Sequence, residues 1–129
     1  MGQIVAICVG DLKGGPKRRV GQAQLARNFG LSGDADAGAH GRQVALLDEA
    51  DYLSERALDP NRSFGAAGEN LVVSGLDLRA LNKGATLRSG DALIEFVGPI
   101  AGGRLFEAKA RLAGIITEGD QILVETNPS

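Results

Sequence analysis

Residues 68–98 constrain the fold more than any other stretch. Apolar and polar residues alternate through Leu71-Val72-Val73-Ser74 and Thr86 to Val97, and the runs are cut by Gly75, Gly84, Gly90 and Gly98. Alternation over a few residues, bounded by glycine, specifies short half-buried strands. A chain with such strands must pair or close their edges. The economical solution is a closed or nearly closed barrel.

The flanking sequence supports a mainly β domain with one sizeable helix. Gln3 to Val9 is a short apolar run that predicts a buried strand, and Lys13-Gly14-Gly15-Pro16-Lys17-Arg18-Arg19 is loop by composition. Four positive charges in that loop can hold an anion or simply be solvated, and the solvated reading is favoured. Residues 20–27 alternate loosely and predict a second strand, followed by a glycine-rich polar stretch from Gly30 to Gly41. In the strand predicted at Arg42 to Leu47, Val44 and Leu46 fall on one face and Ala45 and Leu47 on the other. Asp48 suits the cap of a helix from Glu49 to Ala57, with Leu53, Leu58 and neighbouring Tyr52 near its buried face and Pro60 beyond its end. For Arg104 to Leu112 a short second helix and an irregular crossover fit equally. Leu87-Arg88-Ser89-Gly90-Asp91-Ala92-Leu93 is echoed by Ile116-Thr117-Glu118-Gly119-Asp120-Gln121-Ile122, which predicts two similar tight turns.

Bulk composition narrows the function classes. The 129 residues suit one domain spanning 1–129, and 43% hydrophobic with 23% charged residues suits a globular fold. There is no tryptophan, so the core is expected to be largely Val, Ile, Leu and Ala. A net charge of −2 and only five aromatics argue against a nucleic-acid surface. The single cysteine excludes an internal disulfide. No apolar run reaches the roughly 18–20 residues that span a bilayer. The opening residues lack the features of a signal peptide, so a cytoplasmic location is expected.

The order of short motifs resembles the MOSC domain family, named after the C-terminal domain of molybdenum cofactor sulfurase. Those motifs are Gly30-Leu31-Ser32-Gly33-Asp34, Arg42-Gln43-Val44, Gly68-Glu69-Asn70, Gly75-Leu76-Asp77-Leu78 and Gly119-Asp120-Gln121-Ile122. The chain is similar in particular to the small stand-alone bacterial type found beside molybdenum-cofactor biosynthesis enzymes. The resemblance implies a β-barrel that binds molybdenum cofactor (molybdopterin) or carries sulfur for metal–sulfur centres. In larger relatives the domain is joined to a pyridoxal-phosphate-dependent one. Asp34, Asp36, His40, Arg42 and Gln43, with Glu69 and Asn70, would form a polar pocket suited to a pterin phosphate if the barrel brings them together; alternatively Asp34 caps a turn, Arg42 pairs with Asp36 and Asn70 satisfies backbone groups. Arg42 suits a phosphate, and the carboxylates suit amino groups.

Two departures bear on activity. The family's cysteine just past the position of Val97 is replaced by Gly98-Pro99-Ile100-Ala101-Gly102-Gly103-Arg104, and Asp36 stands where the family often has histidine. A persulfide carrier needs a thiolate, and Cys8 sits in an apolar run that favours an inert, buried thiol. The expectation is therefore a pterin-binding barrel without covalent sulfur chemistry. The alternative is a non-catalytic module docking on cofactor-biosynthesis enzymes. Asp34, Asp36 and His40 also carry donor types that suit divalent metals, though three ligands on one glycine-rich loop make a weak metal motif.

Overall fold

A computed structural model of the chain describes residues 2–100 and 104–129. Its strands are β1 Gly2–Val9, β2 Arg18–Arg19, β3 Gln22–Ala26, β4 Gly30–Leu31, β5 Val44–Asp48, β6 Leu71–Ser74, β7 Thr86–Ser89, β8 Ala92–Pro99, β9 Phe106–Leu112, β10 Gly114–Thr117 and β11 Gln121–Thr126. The helix α1 covers Glu49–Leu58, and a single 3-10 turn covers Leu78–Ala80. No helix among the described residues is long and apolar enough to cross a membrane.

Seven strands close a barrel in the order β11-β7-β8-β9-β5-β6-β1, with β1 pairing back onto β11. Closure leaves no edge on that ring, in keeping with the barrel that the family resemblance implies. β2 extends from β1, and β10, β3 and β4 form a separate antiparallel sheet. The one parallel pair among the described strands is β5–β6. Parallel neighbours cannot be joined by a tight turn, and here α1 lies in the connection.

The barrel interior is aliphatic, with Ile4, Ile7, Leu46, Leu71, Val73, Leu87, Ile94 and Ile122 buried together around the Phe96–Phe106 pair. Those two rings lie 5.5 Å apart. Leu25, Leu31 and Ile116 bring one face of the small sheet into the same core. Each such side chain contributes about 1.5–3 kcal/mol by leaving water. Outside the barrel wall, Ala6, Leu47, Tyr52 and Val72 form a second apolar cluster beneath α1. The predicted division of β5 holds: Val44 and Leu46 face the interior while Leu47 joins the outer cluster.

Two expectations are corrected. Residues 106–112 are neither helix nor irregular crossover but the strand β9, paired with β5 and β8. Phe106, Ala108 and Ala110 point inward, while Glu107, Lys109 and Arg111 are partly exposed between them. The helix-favouring composition is overridden by this two-residue period and by partners on both sides. In α1, Tyr52 is buried, but Leu53 is 56% and Leu58 is 88% exposed. Five residues turn a helix through about 500°, so Leu53 and Leu58 lie about 140° apart and do not share a face. The helix start follows expectation, since the Asp48 carboxylate accepts the Ala50 amide at 2.9 Å.

The two Gly-Asp sequences form corresponding turns. Gly90 joins β7 to β8 with φ +60°, and Gly119 joins β10 to β11 with φ +93°. At the second, the Asp120 carboxylate accepts the Thr117 amide at 2.8 Å.

Candidate functional site

Two loops converge where β1 ends. In the loop after β1, Lys17 is folded inward against the glycine-rich loop that precedes β5. Its Nζ donates to Asp34 Oδ1 at 2.7 Å and to Asp36 Oδ2 at 2.8 Å, with the Lys17 side chain 1% exposed. Asp34 Oδ1 also accepts the Gly10 amide, and Asp36 Oδ1 accepts the Gly14 amide, each at 2.8 Å. Lys17 is held through its backbone as well: its N–H donates to Gly65 O at 2.8 Å. Gly65 has φ +89° and lies so close that a Cβ would collide with the Lys17 carbonyl. Glycine alone fits that approach.

This cluster departs from the expectation that the basic loop is solvated. Lys13 and Arg18 are exposed, and Arg18 pairs with Asp11, but Lys17 is buried. Burial works against the ammonium, yet the hydrogen bonds and charges of Asp34 and Asp36 hold its pKa above the ordinary lysine value. Burial likewise works against the Asp36 carboxylate, while Lys17, the Gly14 amide and Lys13 hold its carboxyl below the usual range.

Asn70 stitches three strands at the start of β6. Its side chain accepts the Ala45 amide at 2.8 Å and donates to Cys8 O at 3.1 Å. Its backbone N–H donates to Ala45 O at 2.8 Å, and its carbonyl accepts the Cys8 amide at 2.7 Å. One residue earlier, Glu69 is fully buried and accepts from Arg62 Nη2 at 2.9 Å and from the Ala67 amide at 3.1 Å. Gln43 is equally buried, accepting the Ala110 amide at 2.9 Å and donating to Asn28 at 3.2 Å.

Between the converging loops and the outer face of the barrel wall lies a cavity of about 540 Å³. Ala45 of β5, Glu107 of β9, adjoining Leu105 and Asn70 form its strand side. Residues 13–15 and Lys17 border it on one flank, Asp36 and residues 40–42 on another, and Ala67 with Gly68 on a third. Lys13, His40 and Arg42 have no hydrogen-bond or ion-pair partner among the described residues. The volume falls in the range of small-molecule sites.

Of the seven residues named from the sequence, Asp36, His40, Arg42 and Asn70 line this cavity. Asp34 lies behind it, bound to Lys17, and its Oδ2 is buried without a hydrogen-bond partner among the described residues. Gln43 and Glu69 do not line it and instead satisfy internal partners. No three His, Cys, Asp or Glu side chains among the described residues converge on a metal position. Cys8 is fully buried, and burial, with the nearby Glu69 and Glu118 carboxylates, pushes its thiol up to about 12. In the segment that lacks the family's cysteine, Gly98, Pro99, Ile100 and Arg104 are described, while 101–103 lie outside the described residues.

The sequence reading missed Lys17 as a buried organiser and Glu107 as a wall residue. The signal for Glu107 was present in the strict alternation of Phe106 to Arg111.

The family model of the MOSC domain matches residues 33–122, which is more than half of the chain. The chain belongs to the MOSC domain family. No curated protein matches this MOSC domain in sequence. Among solved structures, it is similar to the YuaD protein from Bacillus subtilis, with a TM-score of 0.75 and 18% identity over 95% of this chain and 94% of that one. It is similar to YiiM from Geobacillus stearothermophilus, with a TM-score of 0.75 and 18% identity over 98% and 76% of the two chains. YiiM from Escherichia coli gives a TM-score of 0.75 and 21% identity over 100% and 72%. At these identities the likeness is one of fold.

Proposed function

We propose that this MOSC domain binds an anionic small molecule non-covalently in the cavity beside Lys17, and that the ligand is molybdenum cofactor or a related pterin phosphate. The observation that carries the reading is the border of Lys13 and Arg42, cations with no hydrogen-bond or ion-pair partner among the described residues, with the His40 imidazole beside them. Lys17 cannot play that part, because two carboxylates already take its charge. Guanidinium and ammonium groups suit a phosphate, with Arg42 able to donate two parallel bonds. The wall supplies apolar surface from Ala45, Leu105 and Ala67 for a ring face, and polar groups from Asn70 and Glu107. The metal would bring its own chemistry, while the chain binds and orients the ligand.

Sulfur transfer through Cys8 is not part of this reading, since a buried thiol with a raised pKa is neither exposed nor nucleophilic. The test is a native mass spectrum of protein made in a host with an intact molybdopterin pathway, paired with Arg42→Ala. A bound pterin-phosphate mass is expected, with affinity falling about tenfold or more in Arg42→Ala and the fold unchanged. A bare chain that ignores added cofactor would overturn the proposal in favour of a module docking on cofactor-biosynthesis enzymes.

A further inference from the structure

Glu107 stands apart from the other acidic groups around the barrel. It sits on β9 opposite Ala45 of β5, and both residues line the cavity. Phe106 and Ala108 on either side face the interior, so the two-residue period places Glu107 on the outer face. Acidic residues elsewhere on this wall are paired: Glu95 of β8 accepts from Arg111 Nε and Nη2 at 3.0 and 3.2 Å. In the cavity itself, Asp36 is taken by Lys17 and the Gly14 amide. Glu107 has no hydrogen-bond partner and no Lys, Arg or His nitrogen within 4.0 Å among the described residues. The cavity thus combines unpaired cations at its border with an unpaired carboxylate on its wall.

We infer that Glu107 is the specificity-determining residue of this cavity, accepting the paired N–H donors of a 2-amino-4-oxo heterocycle that also carries a phosphate. The inference rests on the proposed function and deepens it by naming the residue that selects the edge of the heterocycle. A carboxylate has two acceptor oxygens and no donor. It matches an edge on which a ring N–H and an exocyclic amino group lie side by side, as in guanine and in pterins. An adenine edge places a ring-nitrogen lone pair beside its amino group, and that lone pair would face a carboxylate oxygen. A buried polar group left unpaired in this way is a strong source of discrimination. The apolar flank of Leu105, Ala45 and Ala67 fits the ring face and leaves recognition to the edge.

Calorimetric titration of the full chain with GMP, AMP and inorganic phosphate tests the inference. The unmodified chain should bind GMP about tenfold or more tightly than AMP. Glu107→Gln should abolish the preference, weakening GMP and strengthening AMP, because an amide offers one acceptor and one donor, which match the adenine edge, in place of two acceptors. Arg42→Ala should weaken GMP and AMP alike. Glu107 has no internal partner to lose, so an unchanged melting temperature of Glu107→Gln is expected. Equal binding of GMP and AMP by the unmodified chain overturns this inference alone, as does a GMP preference that survives in Glu107→Gln. Failure of all three probes to bind overturns the anion-binding reading together with it.

Discussion

Lys17 Nζ lies 2.7 Å from Asp34 Oδ1, with the two side chains 1% and 0% exposed. A second carboxylate, Asp36, completes the arrangement at 2.8 Å. One lysine therefore ties the loop after β1 to the loop before β5, and the cavity lies where those loops meet the barrel. Removing the ammonium would leave a buried carboxylate without its counter-charge, which typically costs about 3–5 kcal/mol. Lys17→Met should accordingly lower stability by that order in urea unfolding. Adding Asp34→Asn should recover part of the loss. A loss below about 1 kcal/mol in the single variant would show that the pair does not hold the loops.

Asn70 offers a second test of the same region. Alanine at this position removes the partner of the Ala45 amide and of the Cys8 carbonyl together. A buried polar group stripped of its partner costs about 1–3 kcal/mol. Asn70→Ala should therefore lose about 2 kcal/mol or more in denaturant unfolding, and hydrogen exchange at Ala45 should rise. Unchanged exchange there would contradict the stitching role.

Cys8 should resist chemistry in the folded protein. With its thiol pushed up to about 12, roughly one molecule in ten thousand would be thiolate at pH 8 even before access is considered. A disulfide reagent at pH 8 should leave the native chain unlabelled and react at once after denaturation. Fast labelling of the native chain would return a sulfur-carrying role to Cys8.

Glu118 predicts an acid-dependent loss of stability. Its Oε2 accepts from Arg19 Nε at 2.8 Å and from the Ile7 amide at 3.0 Å, and its Oε1 accepts from Arg19 Nη2 at 2.7 Å. The Arg19 bonds outweigh the opposing effect of burial, and with the Ile7 amide they hold the carboxyl below its ordinary value. A folded pKa below the unfolded one gives stability that is present above the unfolded value, near about 4.3. That stability fades as pH falls through the folded value. The stability difference between the native chain and Glu118→Gln should thus be steady at neutral pH and shrink on acidification below about pH 5. It should be modest, because Arg19 is half exposed and water screens the pair. A difference that widens on acidification would reverse the assignment.

Parts of this molecule were legible in the order of residues. The period of two in β7 and β8, the Asp48 cap and the paired Gly-Asp turns each depend on neighbours a few residues away. The strand β9 was legible in its alternation, yet its alanine, glutamate, lysine and arginine content favoured a helix until pairing with β5 and β8 decided it. For the candidate site, the motifs named residues on loops that border the cavity but did not sort their members. His40 and Arg42 reach the cavity, whereas Gln43, the next residue, turns inward to the Ala110 amide. Lys17 looked like its exposed neighbours because nothing local distinguishes a lysine that will meet two aspartates.

The sequence by itself determined the short strands and their turns, because dihedral preference and side-chain alternation act over a few residues. Only the tertiary structure decided which charges lose water. Lys17 meets Asp34, and Glu69 meets Arg62, through loops whose meeting depends on strands distant in sequence closing one ring. Burial belongs to non-local neighbours, so the difference between a solvated lysine, a buried organiser and an unpaired carboxylate facing a cavity arises only when the ring is closed.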